Sequence, residues 1–215
     1  MASFTSGGKT IAIDCHEPPG PGPFPAILLL HGSGGNIGFW SERVAPYLAT
    51  LGISLYAVHY FDRTGTSRAE ATTILDGVHY PKWLSTVEDA IRYVSTRPKV
   101  DGGRVALLGI SLGAFLALSA GVDSANRIRA IIEISGGMPE MYAPNVRSTY
   151  PPTLILHGTA DSVVPVGQAR TLDTLLTQKG VPHRMQLLEG QGHWFDSPSQ
   201  MRILMAIAQF LGTYL

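Results

Sequence analysis

Short apolar runs alternate along this chain with segments whose apolar residues recur every three or four positions. Ala26–His31 is apolar almost throughout, the pattern of a strand covered on both faces of a parallel sheet. Further strands are predicted at Thr10–Cys15, Ile53–Tyr60, Val105–Ile110, Ile128–Ser135, Thr153–His157 and Arg184–Leu188. Between them, Leu84, Val87, Ile91 and Val94 form a helical stripe within Lys82–Arg97, stopped by Pro98. The other predicted helices are Trp40–Leu51, Leu112–Gly121, Val166–Lys179 and Gln200–Leu215; Gly52 and Gly180 close two of them. Regular alternation of strand and helix implies βαβ crossovers and a doubly wound, mostly parallel α/β sheet. No repeat or linker divides residues 1–215, so one domain is expected. The connection 136–152 is too short to form a cap domain, and the site is expected to be shallow and open.

Composition narrows the function classes. Hydrophobic residues make up 45% and charged residues 15%, far from a disordered composition. Sixteen Lys+Arg balance sixteen Asp+Glu without a long cluster of either sign. There is thus no electrostatic footprint for nucleic acid or an anionic membrane. An apolar run such as Ile203–Ala208 falls far below the roughly 18 residues of a membrane span. Met1–Lys9 has no signal-peptide pattern, and Cys15 is the one cysteine. A reducing compartment, the cytoplasm, is the expectation.

The sharpest chemical signal is Gly109-Ile110-Ser111-Leu112-Gly113, between a predicted strand and a predicted helix. Chance supplies on the order of 0.2 such pentapeptides in a chain this rich in glycine, so context decides. A strand–helix elbow needs small flanking residues, lifts Ser111 Oγ above the sheet, and aims the N–H groups of a helix start at a developing oxyanion. A serine hydroxyl also needs a base, and the base an orienting acid. Asp161 follows the strand Thr153–His157, and His193 follows Arg184–Leu188. Each lies at the carboxyl end of a strand, where open α/β sheets place their sites. The order Ser111, Asp161, His193 is that of the α/β-hydrolase fold.

With these residues the chain resembles the α/β hydrolases, and among them the dienelactone hydrolase family of small, cap-less esterases. The likeness is carried by His31-Gly32-Ser33-Gly34-Gly35, the Ser111 elbow, His157-Gly158-Thr159-Ala160-Asp161 and Gly190-Gln191-Gly192-His193. It implies a cap-less α/β-hydrolase fold and an oxyanion hole built from the N–H of Leu112 and that of Ser33, with Gly34 adjacent. It also implies that His31 fixes a loop rather than acting as a base. Dienelactone hydrolases proper use a cysteine nucleophile and arginines for the substrate carboxylate. Here position 111 is serine, and position 197, four beyond His193, is serine too. Arg63 is the candidate for a remaining cation. The pattern therefore favours a carboxylesterase acting on small neutral esters. Dienelactone-type lactone hydrolysis with serine in place of cysteine, or a non-catalytic hydrolase-fold receptor, are the alternatives.

Candidate pocket residues are Phe39, Trp40, Met138, Tyr142, Trp194 and Phe195 as an apolar wall, with His59, Tyr60, Asp62 and Arg63 on the alcohol side. The Gly-rich loop after Ala26–His31 does not fit a dinucleotide fingerprint. Ile37 stands where its third glycine belongs, and no acidic residue lies about 20 positions on. The seven histidines are scattered singly, without zinc-ligand spacing. The expected partner is a small ester or lactone, with no cofactor or metal, in a monomer or homodimer. Glu133, inside an apolar strand, has no role in this pattern.

Overall fold

The computed structural model describes residues 1–123 and 127–215. One eight-stranded sheet runs through the molecule. In chain order its strands are β1 (Ala2–Ser6), β2 (Lys9–His16), β3 (Phe24–Leu30), β4 (Ser54–Val58), β5 (Val100–Ile110), β6 (Ala130–Ile134), β7 (Thr153–Gly158) and β8 (His183–Leu188). They lie side by side as β1-β2-β4-β3-β5-β6-β7-β8. Pairing is parallel from β4 to β8, and β2 runs antiparallel to both of its neighbours. The expected mostly parallel, doubly wound sheet is what forms.

Helices cover both faces. Those between and after the strands are α1 (Ile37–Thr50), α2 (Ala71–Ile74), α3 (His79–Ser95), α4 (Leu112–Asp123), α5 (Gly167–Gln178) and α6 (Ser197–Tyr214). One apolar layer gathers Trp83, Val87, Leu116, Leu172 and Leu176 of α3, α4 and α5 with Leu28, Leu107 and Ile131 of the strands. The other packs Val44, Leu48, Ile203 and Phe210 of α1 and α6 on Leu29, Leu108 and Ile132. Because both faces are covered, β3, β6 and β7 are fully apolar runs apart from Glu133, Thr153 and His157.

Two features lie beyond the sequence pattern. The first strand, β1, is one: only Phe4 and Ser6 of Ala2–Ser6 are buried, too few to stand out from a polar terminus. It pairs with β2 through Gly7 and Gly8, whose φ values of +46° and +76° make the two-residue turn that glycine favours. Helix starts are the other. The start of α3 precedes Lys82 because Asp76 Oδ1 accepts the N–H groups of Val78 and His79 at 2.7 and 2.9 Å. At α6, Asp196 accepts from the Ser199 N–H at 2.8 Å, with Pro198 in the first turn. Among the described residues no helix is long and apolar enough to cross a membrane.

Candidate active site

The site lies at the carboxyl edge of the parallel strands, where β5, β7 and β8 run into loops. At the end of β5 the chain turns sharply into α4, and Ser111 takes a φ of +53°, a left-handed conformation that a non-glycine residue adopts only when its surroundings enforce it. The enforcement is visible. The Ser111 N–H donates to Ile134 O at 2.8 Å, and the Ser111 carbonyl accepts from Ala114 N–H at 2.8 Å. A side chain at Gly113 would collide with the carbonyls of Leu30 and His31, so α4 can approach the end of β3 only with glycine there.

Asp161 and His193 reach Ser111 from the next loops. His193 donates Nδ1–H to Asp161 Oδ2 at 2.8 Å, and the Ser111 hydroxyl donates to His193 Nε2 at 3.1 Å. Asp161 Oδ1 accepts the N–H groups of Val163 and Val164, each at 2.9 Å. Burial drives the Asp161 carboxyl upward, but the hydrogen bonds from His193, Val164 and Val163 outweigh it and hold the group below its ordinary value. The carboxylate is thereby fixed as an acceptor, which selects the Nδ1–H tautomer of His193. His157, fully buried, donates Nε2–H to Val164 O at 2.8 Å and so braces the same loop.

The loop after β3 closes the other side of the nucleophile. A turn is formed by Gly35 N–H donating to Gly32 O at 3.1 Å. Among the described residues neither the Ser33 nor the Leu112 N–H finds an intramolecular backbone acceptor. His31 is the loop-fixing residue expected of it. It is buried, stacks on Tyr60 at 4.2 Å, donates Nδ1–H to Gly32 O at 2.7 Å, and is held by burial at a pKa of about 4.

Ser111 opens into a pocket of about 670 Å³. Its lining includes Leu112, Phe115, Tyr80, Tyr142 and Met141, together with Ile74 and Leu75 from a strap after β4. The strap was not foreseen. It belongs to the long connection after β4, whose Ala69 N–H donates to Ser33 O at 2.8 Å. Length was the available signal, since structureless connections beyond about 12–15 residues are uncommon and functional when present.

Of the predicted pocket residues, Tyr142 lines this cavity, and Gly34 lies beside the lining residue Ser33. Trp40 and Trp194 do not. They line a second cavity together with Phe39 and Phe195, although Trp194 also meets His193 edge-on at 5.3 Å. Arg63 is turned away as well, its guanidinium donating to Gly7 O at 3.0 Å over the β1–β2 turn. The rest of the alcohol-side set is engaged in the fold: His59 with Asp14 at 2.8 Å, Asp62 with the Ala12 N–H at 2.9 Å, and Tyr60 with His31 O at 2.7 Å. Met138 is buried in the core. The cation that does reach the pocket is Arg68, at the rim beside Glu70. Among the described residues no group of three or more His, Cys, Asp or Glu side chains gathers as metal ligands.

The dienelactone hydrolase family model matches residues 12–208. The chain belongs to the dienelactone hydrolase family. Among curated proteins it is 33% identical over 153 residues to the human mitochondrial acyl-coenzyme A thioesterase 2, covering 71% of this chain and 27% of that protein. It is 38% identical over 102 residues to acyl-coenzyme A thioesterase 5 of Mus musculus, covering 47% of this chain and 21% of the relative. The chain thus spans about a quarter of the length of these relatives. Among solved structures it is similar to a dienelactone hydrolase-like promiscuous phosphotriesterase from metagenomic libraries, with a TM-score of 0.84, 19% identity and coverage of 99% and 96%. Dienelactone hydrolase from Anabaena variabilis gives a TM-score of 0.77 at 18% identity, covering 100% of this chain and 96% of that one. These likenesses extend the family's α/β-hydrolase fold over the whole chain.

Proposed function

We propose that this dienelactone hydrolase family member is a serine carboxylesterase acting on neutral esters with an apolar acyl group. The observation that carries the reading is the unbroken line Asp161–His193–Ser111, at 2.8 and 3.1 Å, opening into an apolar pocket. Ser111 Oγ attacks the ester carbonyl as His193 Nε2 takes its proton, while Asp161 keeps the imidazole oriented and stabilises the imidazolium. The N–H groups of Leu112 and Ser33 stabilise the tetrahedral oxyanion. His193 then protonates the departing alcohol, and water activated by the same imidazole releases the acid from the acyl-serine. Every step uses groups of this chain.

The test is p-nitrophenol release from p-nitrophenyl butyrate on the millisecond scale, with Ser111→Ala alongside. The expected result is a burst near one equivalent, then steady turnover, with kcat lower by on the order of 10⁴-fold or more in the variant. Comparable turnover by Ser111→Ala would overturn the reading, and binding with no turnover would favour a receptor. Thioesters are a second reading, supported by the relatives named acyl-coenzyme A thioesterases. They need the same acyl-serine chemistry, and a higher kcat/KM for octanoyl-coenzyme A than for the p-nitrophenyl ester would establish it.

A further inference from the structure

The second cavity lies on the opposite face of the sheet from the Ser111 pocket. It measures about 290 Å³ and is set between α1 and α6, over Leu108, Ile110 and Ile134. Its walls are apolar: Trp40 and Phe39 from α1, Trp194 from the loop after His193, Ile203 and Ile207 from α6. Large apolar side chains stand unprotected at its mouth. Trp194 is 67% and Phe39 48% exposed, where side chains of this kind are ordinarily covered.

One lining residue carries a charge, Arg43. Its guanidinium lies 4.1 Å from the centre of the Phe39 ring and reaches a neutral acceptor, Gln200 Oε1, at 3.5 Å. Among the described residues no carboxylate is within ion-pair distance of it. An apolar cavity with a single unneutralised cation at its rim complements an amphiphile with a single negative charge. The fork of an arginine matches the two oxygens of a carboxylate. The length of the tail follows from the volume, since at about 30 Å³ per water-sized group the cavity accepts roughly ten groups.

We infer that the cavity between α1 and α6 is a binding site for a medium-chain aliphatic carboxylate, the tail between Trp40 and Ile207 and the headgroup on Arg43. The site is separate from the Ser111 pocket and does not depend on the chemistry proposed there. Trp194 and Ile110 stand in its wall next to His193 and Ser111 in sequence, so a ligand there touches the neighbours of both groups.

The test is titration of the full chain with sodium decanoate, followed by tryptophan emission, with decan-1-ol and decyl phosphate in parallel. Trp40 and Trp194 lie in the cavity wall, whereas Trp83 is buried in the opposite layer. A saturable change at sub-millimolar decanoate is expected, smaller in amplitude in Trp194→Phe, where Trp40 alone reports, and weakened in affinity roughly tenfold by Arg43→Gln. Arg43→Gln should leave decanol binding unaltered, and Arg68→Gln, at the rim of the other pocket, should leave decanoate binding unaltered. Both arginines are exposed, so neither change endangers folding. The inference fails if no saturable response is seen, or if Arg68→Gln rather than Arg43→Gln weakens decanoate. It fails too if Arg43→Gln weakens decanol as much as decanoate, and tenfold tighter binding of decyl phosphate would replace the carboxylate with a phosphate.

Discussion

Glu133 is the one acid on β6, fully buried, directly behind the strand end that accepts the Ser111 N–H. Its Oε2 accepts the Gly136 N–H at 2.9 Å, and Oε1 has no partner among the described residues. Burial pushes its pKa up to about 8, with the Gly136 N–H the one opposing influence. An unfolded glutamate titrates near 4.3, so between about pH 4.3 and 8 the folded chain holds a proton that the unfolded chain has lost. Stability from this group therefore falls as pH rises through that window, by up to about 1.4 kcal/mol per pH unit. Glu133→Gln keeps an acceptor for Gly136 and removes the titration. Urea unfolding at pH 5 and pH 8 should show the variant gaining on the parent by a few kcal/mol at the higher pH. Parallel profiles would mean that Glu133 is charged in the fold. At this scale the sequence order singled out Ser111, Asp161 and His193, which the fold brings into one hydrogen-bonded line. Glu133 was visible as an anomaly, but the loop N–H that holds it is a contact no pattern announces.

At the scale of elements, the strap that lines the Ser111 pocket and the loop that supplies Ser33 are joined. The strap is tied to that loop by Ala69 N–H donating to Ser33 O at 2.8 Å. Gly35 has a φ of +70°, and a Cβ there would sit 2.5 Å from Ser67 O. Gly35→Ala thus combines left-handed strain of about 1–2 kcal/mol with displacement of the strap. The expected result is a kcat for p-nitrophenyl butyrate lower by about 10- to 100-fold, because the strap carries Ser33 with it. Gly38→Ala is the control, since a side chain there meets nothing within 4 Å, and it should behave as the parent. Equal kinetics in the two variants would uncouple strap from loop. The strap itself escaped the sequence reading for a physical reason. Its helix, α2, is one turn long and has no buried residue, so it leaves no apolar period, whereas β3 and β7 are fixed by burial on both faces.

Across the whole molecule, the sheet divides two cavities at one edge, and the distribution of apolar surface sets what each can take. The tryptophans read as one wall with Tyr142 belong to opposite faces, because Trp40 rides on α1 and Tyr142 on the connection that packs beside α4. Periodicity assigns residues to elements; the side of the sheet a loop falls on depends on the crossover, which only the fold specifies. With net charge zero, there is little long-range steering, so substrate selection rests on contact. The Ser111 pocket, at about 670 Å³, has room for roughly twenty non-hydrogen atoms at about 30 Å³ each, the size of p-nitrophenyl octanoate. Each methylene added to a shorter acyl chain buries about 0.8 kcal/mol against Leu112, Phe115 and Tyr142, up to about fourfold in kcat/KM. A series of p-nitrophenyl esters from acetate to dodecanoate should therefore rise steeply to about C8 and then level or fall once the pocket is full. Phe115→Trp, which reduces the pocket's volume, should move the maximum to shorter chains and leave acetate little changed. A flat series, or a maximum at acetate in the parent chain, would mean that the acyl group lies outside this pocket and that the leaving group fills it instead.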